Sequence, residues 1–533
     1  MRVLIPHCVD QMQDHNTEQQ QLFGTNRGIL LLTAIVLAAL FFNAGAIPLF
    51  DEDEGAYAQV TQEMLRNGDL VTPRLGGELF FHKPPMIYWT QALSVVVVGT
   101  NELAFRLPSI VASMAWAVLL FLFVRRHLDQ PTAGLAVFML VTAMQLSLIT
   151  RAAIADALLN LFITLTMFAL FNYFRAPKKR LILVAYIGMA LGFMTKGPIA
   201  VVIPVAVSGL FFLSQKQFKT WLRVMFHPAG WAVFLIIALP WYLVLINTHG
   251  WHFIREIFLV HNLGRFRSPM EGHSGSVAYY VPVVLVGLLP FTTLLIQALG
   301  RIRLALKHSL DQFLWLWFGF VFIFFSLAGT KLHHYVVYGY IPLIILMARA
   351  ADQQMIKRAG WFVLPPVILL LILFGLKDMV LWILPSVKDQ FTVSVAREAL
   401  PEFGAQYRIM VATVLAGVAL TAFAPRIRLV SRVVVTGCLF FALITVVVMP
   451  KIADILQGPI KEAALIAKNR NLEVVMWRMN YPSFHVYYGK PAIRRQPEPG
   501  DVVITKADQL DRITSHAPIY QRYGIVLTRI NRL

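Results

Sequence analysis

LFDEDEGAYAQVTQEMLRNGDLVTPRLGGELFFHKPPMIY, residues 49–88, decides how the rest of the chain is read. It follows directly on an apolar run, residues 28–48, long enough to cross a bilayer. Asp51, Glu52, Asp53 and Glu54 stand against the end of that run, and the stretch closes on His82, Lys83, Pro84 and Pro85. A short amphipathic helix over about residues 55–67 is expected between them. The chain is 58% hydrophobic and 14% charged, so a run of carboxylates at a membrane boundary is costly unless it is solvated or used. Two readings stand: a solvated loop whose acids cap a helix, or an active-site loop at the membrane surface. An acid cluster and a Lys-Pro-Pro clamp in one loop favour the second.

Outward from this loop the sequence is that of a polytopic α-helical membrane protein. Mean hydropathy is +0.65 and apolar runs of about 20 residues recur. About thirteen spans are expected, at residues 28–48, 102–124, 131–149, 154–174, 181–194, 199–213, 229–247, 277–298, 313–328, 335–348, 361–384, 409–424 and 433–449. Residues 86–99 are apolar but short and read as an interfacial helix. Short basic loops recur at Arg125-Arg126, Lys178-Lys179-Arg180, Lys216–Arg223, Arg301–Lys307, Lys357-Arg358 and Arg426–Arg432. The positive-inside rule puts these in the cytoplasm, with the N-terminus inside, the C-terminus outside and the loop 51–83 on the outer face. The net charge of +19 is spread over these loops in no single patch, which argues against a nucleic-acid partner. Cys8 lies in the polar tail and Cys438 in an apolar span, so the two are not expected to pair.

Three regions follow. Residues 1–27 read as a disordered cytoplasmic tail, residues 28–450 as the membrane domain, and residues 451–533 as a small outer, periplasmic-type α/β domain. The last has strand-like runs at 472–477, 502–505 and 524–530 and helical runs at 459–468 and 506–513.

This topology rests on loop charge alone, yet it gathers polar residues on one face. The first outer loop supplies Asp53, Tyr57, His82 and Lys83; the next outer turn, TRAAIADALLN, supplies Arg151 and Asp156. Thr195 and Lys196 come from FMTKGP, and a loop over 249–276 brings Glu256, His261, Arg265, Arg267, His273 and Tyr279. Lys331, His333, His334, Tyr335 and Tyr338 come from TKLHHYVVYGYIP. Such a set suits an anionic, lipid-linked substrate, with cations for a phosphate and an acid to take a proton. Plainer readings stand beside it: an Arg151–Asp156 ion pair, or Lys196 snorkelling at a span end. His82, His261 and His273 are potential metal ligands, without tight spacing.

DEDEGAYAQV, GDLVTP, HKPP and IYW resemble the first-loop signature of bacterial membrane glycosyltransferases of the GT-C class. The resemblance is nearest to the aminoarabinose transferases of lipid A, with the protein O-mannosyltransferases behind them. It extends through RAAIADALLN, TKGP, HNLGRF and KLHHY, to about Pro342. It implies transfer of a sugar from a polyprenyl (undecaprenyl) phosphate carrier at the periplasmic face of the bacterial inner membrane, with inversion. The implied acceptor is lipid A, or alternatively a protein hydroxyl. Asp53, Tyr57 and Asp156 match catalytic positions, and Lys83, Arg265 and Tyr335 match positions that hold the substrate phosphate. Family members carry a glutamate where His82 stands, so a divalent metal held by His82 and His261 is an implied possibility that this departure weakens. A lipid flippase or transporter is the rival from another class. It predicts ionisable residues near mid-membrane and internal repeats, neither evident here.

Overall fold

Thr25 caps the first described helix, which at 16 residues is shorter than the span expected at 28–48 and is not among the helices long enough to cross a membrane singly. Its hydroxyl accepts the Gly28 amide at 3.1 Å, and α1 runs over Asn26–Phe41. The computed structural model describes residues 22–264, 266, 268, 272, 274–352, 359–424, 429–513 and 515–531, so most of the predicted N-terminal tail lies outside the described residues. The helix expected inside the first loop is α2, Asp53–Asn67. Asp53 and Glu54 form its first turn rather than precede it, where the helix dipole favours negative charge. It stops at Gly68, which takes the left-handed conformation with φ of 68°. A hairpin follows, β1 (Arg74–Leu75) paired with β2 (Glu78–Leu79). Its turn needs positive φ at Gly76 and Gly77, and Glu63 on α2 accepts both of their amides, at 2.7 and 3.1 Å. The hairpin thereby delivers the His-Lys-Pro-Pro segment to the start of α3, Met86–Val98. At 13 residues α3 is too short to cross a bilayer, and it leaves Leu93, Val96 and Val97 exposed.

The long helices come next. Asn101 caps α4, Glu102–His127, whose 26 residues reach about 39 Å at 1.5 Å per residue. α5 (Asp156–Arg175) and α6 (Lys179–Lys196) pack beside it. Trp116 of α4 donates to Thr164 of α5 at 2.9 Å, and Phe123 stacks on Phe168 with ring centroids 3.7 Å apart. Among the described residues seven helices are long and apolar enough to cross a membrane singly, or eight if one bent pair counts as a span. The chain is therefore a multi-pass membrane protein.

Several predicted spans differ in shape. The segment 277–298 breaks into Tyr280–Gly287 and Thr292–Gly300 around Pro290, and 131–149 breaks at Ala143. The two breaks answer each other: the freed Met144 amide donates to the Leu289 carbonyl at 2.9 Å. The segment 361–384 bends by 59° at Gly375. Part of the predicted outer loop at 249–276 is helical instead, kinked at Gly250 and continuing as a π-helix over Arg255–Gly264. The predicted loop at 386–406 also contains a helix, Gln390–Ala399.

The last eighty or so residues form a four-stranded sheet in the order β3 (Val474–Met476), β4 (Val502–Lys506), β6 (Ile525–Ile530), β5 (His516–Arg522). β3 and β4 are parallel and the remaining pairs antiparallel. Val502–Thr505 in the second strand position are buried, as expected of a strand covered on both faces. The helices α7 (Gly458–Asn469) and α8 (Pro482–Tyr488) belong to this unit. α8 docks on the first loop: the Ser483 amide donates to Asp51 at 2.9 Å, and its hydroxyl bonds the other carboxylate oxygen. The Leu49 amide donates to the Tyr487 hydroxyl at 2.8 Å, and Tyr487 donates to Glu102 at 3.1 Å.

Gly55 permits this approach. A Cβ there would lie 2.2 Å from the Asp51 carboxylate and 2.8 Å from the Ser483 amide. Gly55→Ala should therefore lower thermal stability in detergent by the equivalent of about 1–3 kcal/mol, the usual cost of overpacking. An unchanged melting midpoint would mean that α8 and the loop separate freely.

Candidate active site

The four adjacent carboxylates go to different places: Asp51 and Glu52 stand in the turn before α2, and Asp53 and Glu54, successive residues of its first turn, point about 100° apart. Asp51 turns to α8. Burial pushes its pKa up to about 7, with Glu52 and Glu54 adding to the rise and the two Ser483 bonds opposing it. Glu54 turns inward and forms a buried, two-pronged ion pair with Arg106 of α4, at 2.9 and 2.7 Å. Arg106 also donates to the carbonyls of Ala44, Ile47 and Pro48, at 2.9, 2.6 and 2.9 Å. The same carboxylate accepts the Phe50 and Ala153 amides at 2.9 and 2.6 Å. Burial raises the pKa of Glu54, but Arg106 and these amides outweigh it and hold the group below its ordinary value. Glu52 and Asp53 are exposed and face a cavity.

That cavity holds about 570 Å³ and is the candidate active site. Its wall includes Asp53, Tyr57, Lys83, Asp156 and Tyr335, which the sequence places in three separate stretches. Pro84 and Pro85 restrict the backbone behind Lys83. Tyr57 is buried, with its ring edge-on to Tyr88 at 5.9 Å. Asp156 opens α5 and is already answered: Lys196, the last residue of α6, bonds both of its oxygens at 2.9 and 3.0 Å. The Tyr338 hydroxyl accepts from Lys196 at 2.8 Å and donates to Asp156 at 2.7 Å. Lys196 is thus a buried ion-pair partner rather than a snorkelling lysine, and Asp156 pairs with it rather than with Arg151. A carboxylate so neutralised suits positioning better than proton uptake. The Lys196 ammonium also lies 5.6 Å from the centroid of the Tyr335 ring.

Other predicted residues fall elsewhere. His82 does not line this cavity but stacks on Phe80, centroids 4.1 Å apart. Arg265, Arg267 and His273, and the side chain of His261, lie outside the described residues. Among the described residues no three His, Cys, Asp or Glu side chains converge as a metal site would require. The proposed metal pair therefore has one member turned onto an aromatic ring.

Two contributions escaped the sequence reading. Arg106 sits near the start of an apolar span, where an ionisable residue marks a special site by default, yet FRLP drew no notice. Lys331 was noted without a role. Its ammonium reaches this cavity's wall while donating to the carbonyls of Ser326 and Ala328, at 2.9 and 2.6 Å. Lys83 and Lys331 thus put two ammonium groups opposite the carboxylates of Glu52 and Asp53 on one cavity. Cations can hold or receive a phosphate there, and a carboxylate stands by to orient or deprotonate a reacting hydroxyl.

Comparisons with known proteins agree with this architecture. Residues 82–243 match the family described as dolichyl-phosphate-mannose-protein mannosyltransferase. An undecaprenyl phosphate-alpha-4-amino-4-deoxy-L-arabinose arabinosyl transferase of Edwardsiella ictaluri is 32% identical over 327 residues, 58% of this chain and 58% of the relative. An uncharacterized protein of Aquifex aeolicus is 26% identical over 349 residues, 66% of this chain and 79% of its own length. The chain spans about six-tenths of the length of the arabinosyl transferases it matches, as with that of Shewanella sediminis, 30% identical with 61% of its length covered. In three dimensions the fold is that of ArnT from Cupriavidus metallidurans, a protein crystallised bound to undecaprenyl phosphate: TM-score 0.79, 19% identity, 94% of this chain and 97% of that one. The chain thus resembles GT-C glycosyltransferases of the aminoarabinose transferase type in both sequence and fold.

The site makes two testable statements about stability. Asp51 has a folded pKa near 7, above its ordinary value of 3.8, so the folded protein holds the proton more tightly. The stability this contributes is fully present below about pH 4 and is lost as pH rises through 7. Asp51→Asn, which mimics the protonated form, should flatten the pH dependence of the melting midpoint between pH 5 and 8; an unaltered profile would contradict the assignment. Arg106→Met leaves Glu54 buried and unpaired and should cost about 3–5 kcal/mol, whereas the double change Arg106→Met with Glu54→Gln should recover part of it.

Proposed function

We propose that the protein transfers a sugar from a polyprenyl phosphate carrier to lipid A at the periplasmic face of the inner membrane. The observation that carries this reading is the cavity whose wall Asp53 shares with Lys83, Lys331 and Tyr335. An oxygen of the acceptor attacks the anomeric carbon, the bond from that carbon to the carrier phosphate breaks, and the electron pair leaves with the phosphate. Lys83 and Lys331 stabilise the charge that develops on it. Arg265, by the family pattern, joins them. Tyr335 closes the phosphate side, and Tyr57 flanks Asp53. Asp156, held by Lys196 and Tyr338, keeps that wall in register.

The donor is already activated and lipid-borne, so no nucleotide sugar is required. Binding energy comes from the phosphate and the lipid chain. The basic loops support an N-terminus in the cytoplasm. The terminal α/β unit, residues 451–533, then lies in the periplasm beside the loop that carries Asp53, which agrees with its contacts to Asp51 and Leu49.

The match of residues 82–243 to protein mannosyltransferases supports a second acceptor class, a protein hydroxyl. The two differ at Asp53. A hydroxyl must lose a proton, whereas a lipid A phosphate is already ionised. The similarity to arabinosyl transferases favours the phosphate.

Lys83→Ala should abolish transfer by purified protein and weaken donor binding, and Lys83→Arg should also be impaired because a planar fork does not replace a compact ammonium. Normal turnover by Lys83→Ala would remove the lysine from the site. Asp53→Asn separates the acceptors. With a hydroxyl it should lose about a hundred- to ten-thousandfold in the chemical step. With lipid A the loss should be smaller and the rate should follow ionisation of the acceptor phosphate, near pH 6 for a monoester.

A further inference from the structure

Arg151 is a buried cation that the transfer scheme leaves unused. It stands in the turn before α5 and is 7% exposed. One guanidinium nitrogen donates to the Phe42 carbonyl at 3.0 Å and another to the Thr445 hydroxyl at 3.3 Å. The Phe441 ring lies beneath it, 5.8 Å away. All three partners are neutral, and among the described residues no carboxylate is in ion-pair contact with it. Its buried neighbours differ: Arg106 has Glu54, and Lys196 has Asp156. Burial, and then the nearby charge of Arg106, pull the pKa of Arg151 down to about 10, against the opposing pull of the Glu54 carboxylate that Arg106 already holds. A buried charge without a counter-ion is costly, and a ligand that supplies the anion would relieve the cost.

The surroundings say which anion. Arg151 lines a second cavity, of about 350 Å³, walled by apolar groups that include Ala44, Ile47, Phe50, Leu148, Ile154 and Met449. Glu52, Asp53 and His333 line this cavity and the reaction cavity alike. A ligand here therefore meets Asp53 from a different chamber than one held by Lys83. It must also be anionic where it meets the guanidinium and hydrocarbon-like around it. Four carboxylates also line this cavity, Asp51, Glu52, Asp53 and Glu54. Glu54 is answered by Arg106 through both oxygens and Asp51 is bonded by Ser483, so Glu52 and Asp53 are the ones that would repel an anion on their side. Arg151 is the cation left to answer it, and its planar fork offers paired donors to a phosphate.

We propose that Arg151 holds the phosphate of the lipid acceptor in this second cavity, presenting it to the anomeric carbon beside Asp53. The identity of the ligand rests on the transfer reading above. The shared chemistry is a lipid-borne phosphate, and lipid A and the bulk anionic phospholipids are its two sources.

The test uses the full chain in detergent. It measures binding of lipid A with its phosphates, of lipid A stripped of them, and of undecaprenyl phosphate, for wild type, Arg151→Met and Arg151→Lys. Arg151→Met should weaken binding of phosphorylated lipid A by about ten- to a hundredfold, the range for a lost charge-assisted bond. It should leave undecaprenyl phosphate binding within about twofold and affect stripped lipid A little. Arg151→Lys should recover part of the loss, and it serves alone if the methionine variant fails to fold. Unchanged lipid A affinity, equal loss for both lipids, or displacement of lipid A by equimolar phosphatidylglycerol would overturn the assignment. Arg151-dependent binding without any sugar transfer would sink the transfer reading and leave this one standing; transfer with binding indifferent to Arg151 would do the reverse.

Discussion

The buried ion pair between Glu54 and Arg106 is the constraint on which the site's face of the molecule depends. One guanidinium collects the carbonyls that end the first membrane segment, at Ala44, Ile47 and Pro48. One carboxylate collects the Phe50 amide beside the loop and the Ala153 amide of the turn ahead of α5. Helix ends leave such groups unsatisfied, and at a membrane boundary water is not freely available to satisfy them. The pair thus joins α1, α2, α4 and the approach to α5 at one point. Its rigidity fixes where the neighbouring Asp53 stands. A buried pair of this kind is not strong evidence of net stability, since desolvation offsets much of the attraction. Its value lies in geometry: a guanidinium with this many fixed acceptors permits one arrangement of the segments around it.

Charge around the two cavities follows a division of labour. Pairs that are fully answered, Glu54 with Arg106 and Asp156 with Lys196, hold the walls. Groups answered only by neutral partners, Lys331 and Arg151, face chambers. Asp53 and Glu52 stand on the partition between the two chambers.

Much of this was legible in the sequence, and the reasons for the remainder are physical. Loop charge sorted the spans, and the sorting put Asp53, Tyr57, Lys83, Asp156 and Tyr335 on one face, where they now share one cavity. The alternating runs at 472–477, 502–505 and 524–530 became the strands at 474–476, 502–506 and 525–530, whereas the strand His516–Arg522 carried no such signal. The partners of the carboxylates were not visible. Asp51, Glu52, Asp53 and Glu54 look alike in a string, and only the phase of α2 and a serine far down the chain separate them. The breaks at Ala143 and near Pro290 were hidden because hydropathy sums over a window and does not register that Met144 and Leu289 satisfy each other. His82 beside Lys83 suggested a ligand, yet the two stand in the turn after β2, and the imidazole settled on Phe80 while Lys83 lines the cavity.

The contact between Asp51 and Ser483 joins residues 432 positions apart. A ribosome adding about 5–20 residues per second needs roughly 20–90 seconds to bridge that distance. Throughout that interval the first loop has already emerged and its membrane segment has been inserted, but Asp51 has no serine and Leu49 no tyrosine to meet. The loop that carries Asp53 therefore receives its last support only when the end of the chain arrives. A nascent or prematurely ended polypeptide would carry every residue of the reaction cavity's wall and still lack the brace behind it. Competence is thereby tied to completion of synthesis.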